Sequence, residues 1–258
     1  MRSVRKLGMP HLVFHMSVAR ELAERLKSPI IDNERGAYYM GATGPDMHIL
    51  SGSKRHSSHF FDLDCIEDQN CVEAFFDTYP ELRDSKALAP RTAAFVGGYL
   101  THLVIDELWI TDIYRPFFGP QSPLGGDAQA NIIDRVLQYD MDLRRRQERD
   151  VMAEIRAVLL ASPLDVQVKF VDNATLQRWR DVAADMLSRL PDWNRFRYLA
   201  GRFLKGAGVE TEQELEEFLK TVPDLIGKAR EQVGEEQLQT AVDKMMGLSL
   251  KTLRDYVE

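Results

Sequence analysis

His102 and Asp106 stand four residues apart inside AAFVGGYLTHLVIDELW, residues 93–109, a stretch that is otherwise almost wholly apolar. Residues four apart in an α-helix stack on one face, so this imidazole and this carboxylate converge on one point. A lone carboxylate in apolar surroundings is costly, and the usual remedies are a polar partner or a metal. His11 and His15 repeat the spacing on the first predicted helix. Two such pairs on two core-facing helices suit a cation held between them. Imidazole nitrogen with carboxylate oxygen is the donor mix of zinc, and iron or manganese accept the same groups. The competing reading is a structural His–Asp pair with no metal at all.

Other metal and phosphate scaffolds fit worse. The chain has no HExxH, no Glu three residues before a His, no His-Asp dipeptide and no Gly-rich phosphate loop. All six histidines lie between His11 and His102, which places the chemistry in the first half.

The elements that must position these groups read as helices. A helix is predicted over 10–27, with Pro10 at its first position and His15 in the stripe of Leu12, Ala19, Leu22, Ala23 and Leu26. A short helix over 34–42 leads into GATGPD, and the Ser- and His-rich 51–64 reads as irregular. Helices follow at 68–79, 90–110 and 127–160, then four or five amphipathic segments from residue 172. DVQVKFV, 165–171, is the one short strand candidate. The fold class is all-α. Residues 1–164 read as a metal-binding helical core and 165–258 as a C-terminal helical scaffold, either a separate lobe or part of the same domain.

Hydrophobic content of 44% and charged content of 28% are those of a soluble globular protein. The net charge of −7 argues against an extended nucleic-acid surface. It leaves room for a phosphate-ester substrate, because a bound cation supplies positive charge locally. Two cysteines, Cys65 and Cys71, make no disulfide framework and point to a reducing compartment. MRSVRKLGMPHLVFH lacks the features of a signal peptide, and no apolar run has membrane-spanning length. These features together predict a cytoplasmic protein with no membrane span.

Taken in order, HLVFHMSVA, GATGPD, SSHFF and AFVGGYLTHLVIDELW resemble the zinc-dependent phospholipase C family, whose all-helical fold is shared with the zinc-dependent single-strand nucleases. The resemblance covers roughly residues 9–118. It implies a multi-helix phospholipase C/nuclease-like bundle, here with an additional C-terminal helical region. It also implies zinc ligands at His15, Asp46, His59, His102 and Asp106, with Asp106 bridging two of up to three ions. A carboxylate such as Asp46, or the ionised water itself, would then supply the base for hydrolysis of a phosphate ester such as a phospholipid headgroup.

The departures matter as much. Family members use a mature N-terminal amino group as a ligand, for which His11 is the candidate substitute here, against a solvent-exposed histidine. The family histidine six residues after the bridging aspartate is Asp112 in this chain, and the later His–x3–Glu pair is missing. Asp134, Gln138, Asp140 or Asp142 are candidate replacements, against a solvated helix face. Lys54, Arg55 and His56 form a loop that either meets a phosphate or is surface; His48 matches no ligand, and Tyr99 and Trp109 read as core or pocket wall. Two functions follow: a metal-dependent phosphodiesterase with one to three ions, or a non-catalytic, metal-stabilised helical binding module with an incomplete cluster.

Overall fold

Helix α7, Pro90–Leu108, is the element around which the candidate residues are arranged. It opens on a proline, whose fixed φ suits the first turn, and every residue from Thr92 to Ile105 is buried. A helix that is apolar all round belongs inside a core. The computed structural model describes residues 12–52, 54–62, 65, 67 and 69–258. Among these residues the chain is helical with no strand, and no helix is long and apolar enough to cross a membrane. The predicted start at Pro10, and His11, lie outside the described residues.

The remaining helices are α1 Leu12–Leu26, α2 Pro29–Asn33, α3 Arg35–Gly41, α4 His48–Ser51, α5 His56–His59 and α6 Cys71–Thr78, followed after α7 by α8 Arg115–Phe117. Then come α9 Ala128–Arg146, α10 Arg149–Ala161, α11 Asn173–Ser188, α12 Phe196–Gly206, α13 Glu212–Val233 and α14 Glu235–Val257. Two compact units result, and neither is continuous in sequence. The first comprises Leu12–Glu107, Glu148–Arg189 and Lys244–Glu258; the second has Leu108–Gln147 and Leu190–Asp243 among its described residues. The division expected near residue 165 falls within a segment of the first unit.

In the first unit α1 packs on α3, α10 and α11, and α3 packs on α10. The decisive approach is between α3 and α7. A Cβ added to Gly41 would lie 1.9 Å from Phe95 O, and one added to Gly98 would lie 2.1 Å from Tyr38 O. Only glycine lets two backbones meet this closely. In the second unit α9 packs on α12 and α13.

Three predicted elements differ. The single helix expected over 127–160 is two, broken at Gln147 and Glu148. No Gly or Pro marks this break; the nearest local signals are arginines closing α9 and Asp150 opening α10, each favourable to the helix dipole at its end. The irregular 51–64 contains the short helix α5. DVQVKFV is irregular rather than a strand: the Gln167 N–H is taken by Thr92 Oγ1 at 3.0 Å, and Phe170 joins Phe75, Tyr79 and Tyr99 in an aromatic cluster. Its apolar residues serve packing, and side-chain partners replace a ladder.

Candidate metal centre

Four segments of the first unit bring five side chains together. α1 contributes His15, the 3-10 turn Gly44–Met47 contributes Asp46, α5 contributes His59, and α7 contributes His102 and Asp106. The three histidines and Asp46 are buried. Asp106 keeps 25% of its side chain exposed, so the cluster opens to solvent at that residue.

The contacts form two groups that share His102. In one, His15, His102 and Asp106 offer one ligand atom each within 4.8 Å of one another; in the other, Asp46, His59 and His102 do the same. Asp106 spans both. Its Oδ1 is 3.3 Å from His15 Nε2, and its Oδ2 is 3.4 Å from His59 Nε2 and 3.7 Å from His102 Nε2. Asp46 Oδ1 lies 3.5 Å from His59 Nε2.

The tautomers follow from what lies behind each ring. His102 Nδ1 is 2.9 Å from Ala42 O, and a carbonyl only accepts, so Nδ1 carries the proton and Nε2 presents its lone pair inward. The close crossing at Gly41 and Gly98 is what carries Ala42 O to that ring. His59 Nδ1 faces Arg55 O at 3.2 Å and Ser58 Oγ at 3.0 Å. Ser58 Oγ itself donates to Arg55 O, so His59 Nδ1 is also the donor. Two Nε2 lone pairs are thereby aimed at each other 3.3 Å apart. Lone pairs so placed repel unless a proton or a cation lies between them. Histidine ligands are commonly held in this way, with the far nitrogen donating to a carbonyl.

His15 is held differently. Its ring stacks on His102 at 3.9 Å with planes 14° apart, while Nδ1 is buried with no hydrogen-bond partner among the described residues. An unmet buried polar atom costs about 1–3 kcal/mol, which marks His15 as placed for something other than stability.

Electrostatics agree with a site that wants positive charge. Burial resists ionisation of Asp46, yet His59, whose Nε2 lies 3.5 Å from Oδ1, and the charge of His102 outweigh it and bring its pKa down to about 2. Asp106 is likewise held well below the carboxylate range, burial being outweighed by His102, His15 and Arg55. Burial, reinforced by the Arg55 charge, lowers His59 to about 4. Burial and the His102 charge lower His15. Burial opposes charging of His102 too, but Asp106 overrides it and raises that pKa. Of the three imidazoles only His102 is shifted toward its charged form, the metal-free answer to two buried carboxylates.

The geometry thus brings together His15, Asp46, His59, His102 and Asp106. Asp112 lies in the π-helical turn Trp109–Tyr114 that follows α7, and its Oδ1 accepts from Thr111 Oγ1 at 3.1 Å. Six residues beyond Asp106 is a third of a turn off the same face of a regular α-helix. The α9 candidates have other partners. Asp134 accepts from Trp109 Nε1 at 3.0 Å and Gln138 Nε2 at 2.6 Å. Asp140 pairs with Arg144 and Arg230, and Asp142 with Arg146. His56 and Lys54 are exposed. His48 donates from Nδ1 to Pro45 O at 2.9 Å and sets its ring edge-on to His59. Tyr99 is core, its hydroxyl bonded to Ser58 O at 2.6 Å, which anchors the α5 loop. Cys65 and Cys71 are both free thiols.

Sequence reasoning missed the main part of Arg55, whose Nη2 donates to Asp106 Oδ2. Its position four residues before His59 repeats the spacing of His102 and Asp106, and that repeat was the available signal. A separate cleft of about 550 Å³, lined by residues including Leu124, Asp127, Ile133 and Lys228 of the second unit, contains none of these side chains. Comparison with protein-family models, curated proteins and solved structures returns no match, so the reading of the centre rests on its geometry.

Proposed function

We propose that this chain is a zinc-dependent phosphoesterase, akin to the phospholipases C, which hydrolyses a phosphate ester such as a phospholipid headgroup. The observation that carries the reading is the opposed pair of Nε2 lone pairs of His59 and His102, flanked by Asp46 and Asp106. Three imidazoles and two carboxylates fit zinc in number and kind, with iron or manganese next. Bound there, the metal would acidify water and offset negative charge on phosphorus.

The protein's own groups divide the remaining work. Ala42 O and Arg55 O fix His102 and His59 with Nε2 inward, so the ligands need little reorganisation. Asp106 has both oxygens engaged, Oδ1 by His15 and Oδ2 by His59, His102 and Arg55, which suits a bridge. Asp46, met by His59 through Oδ1, is the candidate base that takes the proton from water. The exposed quarter of Asp106 is the side from which substrate and water arrive.

The test is elemental analysis of the purified chain followed by turnover of a generic phosphodiester. The expected result is one to three zinc ions per chain, with hydrolysis abolished by chelator and by His102→Ala. A zinc-containing preparation with no turnover overturns catalysis. It would favour the second reading, a metal-stabilised helical module, which the α9 carboxylates support because arginine and amide partners already engage them. In that case chelation lowers the melting temperature and nothing is hydrolysed.

A further inference from the structure

Arg55 touches both halves of the centre. Its main-chain carbonyl accepts from His59 Nδ1, which sets the tautomer of that ring. Its guanidinium Nη2 donates to Asp106 Oδ2, the same oxygen that faces His59 Nε2 and His102 Nε2. The ion pair lies at the open side of the cluster, with 32% of the Arg55 side chain and 25% of the Asp106 side chain exposed. Nη1 is buried there and has no hydrogen-bond partner among the described residues.

A divalent cation between His59, His102 and Asp106 would take Asp106 Oδ2 for itself. A guanidinium on that oxygen would then meet a like charge of twice its size at contact distance, where repulsion is strongest. The two occupants exclude each other. Arginine cannot relieve the conflict by giving up its proton, because its guanidinium stays charged throughout the working pH range. The side chain has to leave, and at the open edge of the cluster its exit is outward.

We propose that Arg55 holds the place of the metal on Asp106 before the cation binds, and is released by it to become the residue that grips the phosphate of the substrate. This rests on the metal-centre reading. The fork of N–H donors on a guanidinium matches two oxygens of a phosphate group, and Nη1 has no acceptor among the described residues. The arrangement orders events: metal first, then phosphate. It also selects the substrate class, an ester whose phosphate carries at least two unbridged oxygens. Before the metal arrives the same guanidinium offsets Asp106, which burial would otherwise leave short of positive charge.

The experiment compares the wild-type chain with R55Q and R55K. Zinc affinity is measured by competition with a chromophoric chelator, and inorganic phosphate binding to the zinc-loaded chains by calorimetry. R55Q removes a charged hydrogen bond that competes with zinc, so it is expected to take zinc about tenfold more tightly and phosphate about tenfold more weakly. R55K keeps the charge but not the fork; its zinc affinity should stay within about threefold of wild type while phosphate binding falls. R55K carries the test should R55Q fail to fold by circular dichroism. Zinc uptake by the wild type with unchanged affinity in R55Q, or unchanged phosphate binding in R55K, overturns this inference alone. A wild-type chain that takes up no zinc overturns the centre and this inference with it.

Discussion

Buried aspartates occur in both units, and their neighbours give them opposite meanings. On α9, in the second unit, Asp142 pairs with Arg146 one turn along the same helix, and Asp134 is closed by an indole N–H and an amide. The carboxylates there meet donors that do not titrate, arginine, amide or indole, and the result is a helix tied to its surroundings. In the first unit, Asp46 and Asp106 face three imidazoles whose charge is adjustable, two of them with lone pairs aimed inward. A buried acid satisfied by arginine supports structure. A buried acid faced by the lone pairs of neutral histidines leaves a gap in charge that a proton or a cation fills.

That contrast can be broken in three ways. The largest effect belongs to the structural pair: Asp142→Ala strips Arg146, 4% exposed, of the carboxylate that its Nε donates to. Breaking a buried pair from one side costs about 3 kcal/mol or more, to be read from urea unfolding, while zinc content per chain stays unchanged. A fall in zinc content would mean that α9 feeds the centre after all.

Next comes the backbone crossing behind His102. Gly98→Ala puts a methyl group within 2.1 Å of Tyr38 O, and overpacking of this kind costs about 1–3 kcal/mol. Because Ala42 O must shift away from His102 Nδ1, zinc affinity should fall together with stability. Stability loss with full zinc affinity would show that the carbonyl does not orient the ring.

The smallest effect is a pH slope in the metal-free chain. Folded His59 takes its proton only near pH 4, whereas an unfolded histidine takes it near 6.5. Between those values the unfolded state holds more protons, so stability falls as the solution is acidified, by up to about 1.4 kcal/mol per pH unit from this group. The loss begins below 6.5 and is complete under about 4. His15 adds in the same sense, and His102 subtracts, since burial is outweighed by Asp106 and its pKa is raised. Thermal melts from pH 7 to 4 should show the slope, and His59→Gln should flatten it. An unchanged slope in that variant would place the acid sensitivity elsewhere.

Much of the first unit is readable from local pattern. The spacing of His102 and Asp106 in an apolar run, and of His15 in its stripe, places ligands on core faces because helical periodicity is a local property. Asp46 and His59 carry no periodic signal, since each sits in a turn or a four-residue helix, and only their order along the chain singles them out. The acids of α9 meet an amide or arginines four residues on, which the spacing shows, and also Trp109 and Arg230, which it does not. Spacing tells which residues share a face; it does not tell what stands opposite.

The all-helical class, the burial of α7 and the candidate donors were determined by the chain's own sequence, because periodicity, glycine placement and charge act over a few neighbouring residues. Tertiary structure alone decided that Ala42 O stands behind His102, that Arg55 reaches Asp106, and that Arg230 of α13 reaches Asp140 of α9. Each of those is a meeting of residues between 51 and 90 positions apart on surfaces that only packing brings face to face. Short-range preference sets which side chains point inward, and the close approach of backbones sets what they find there.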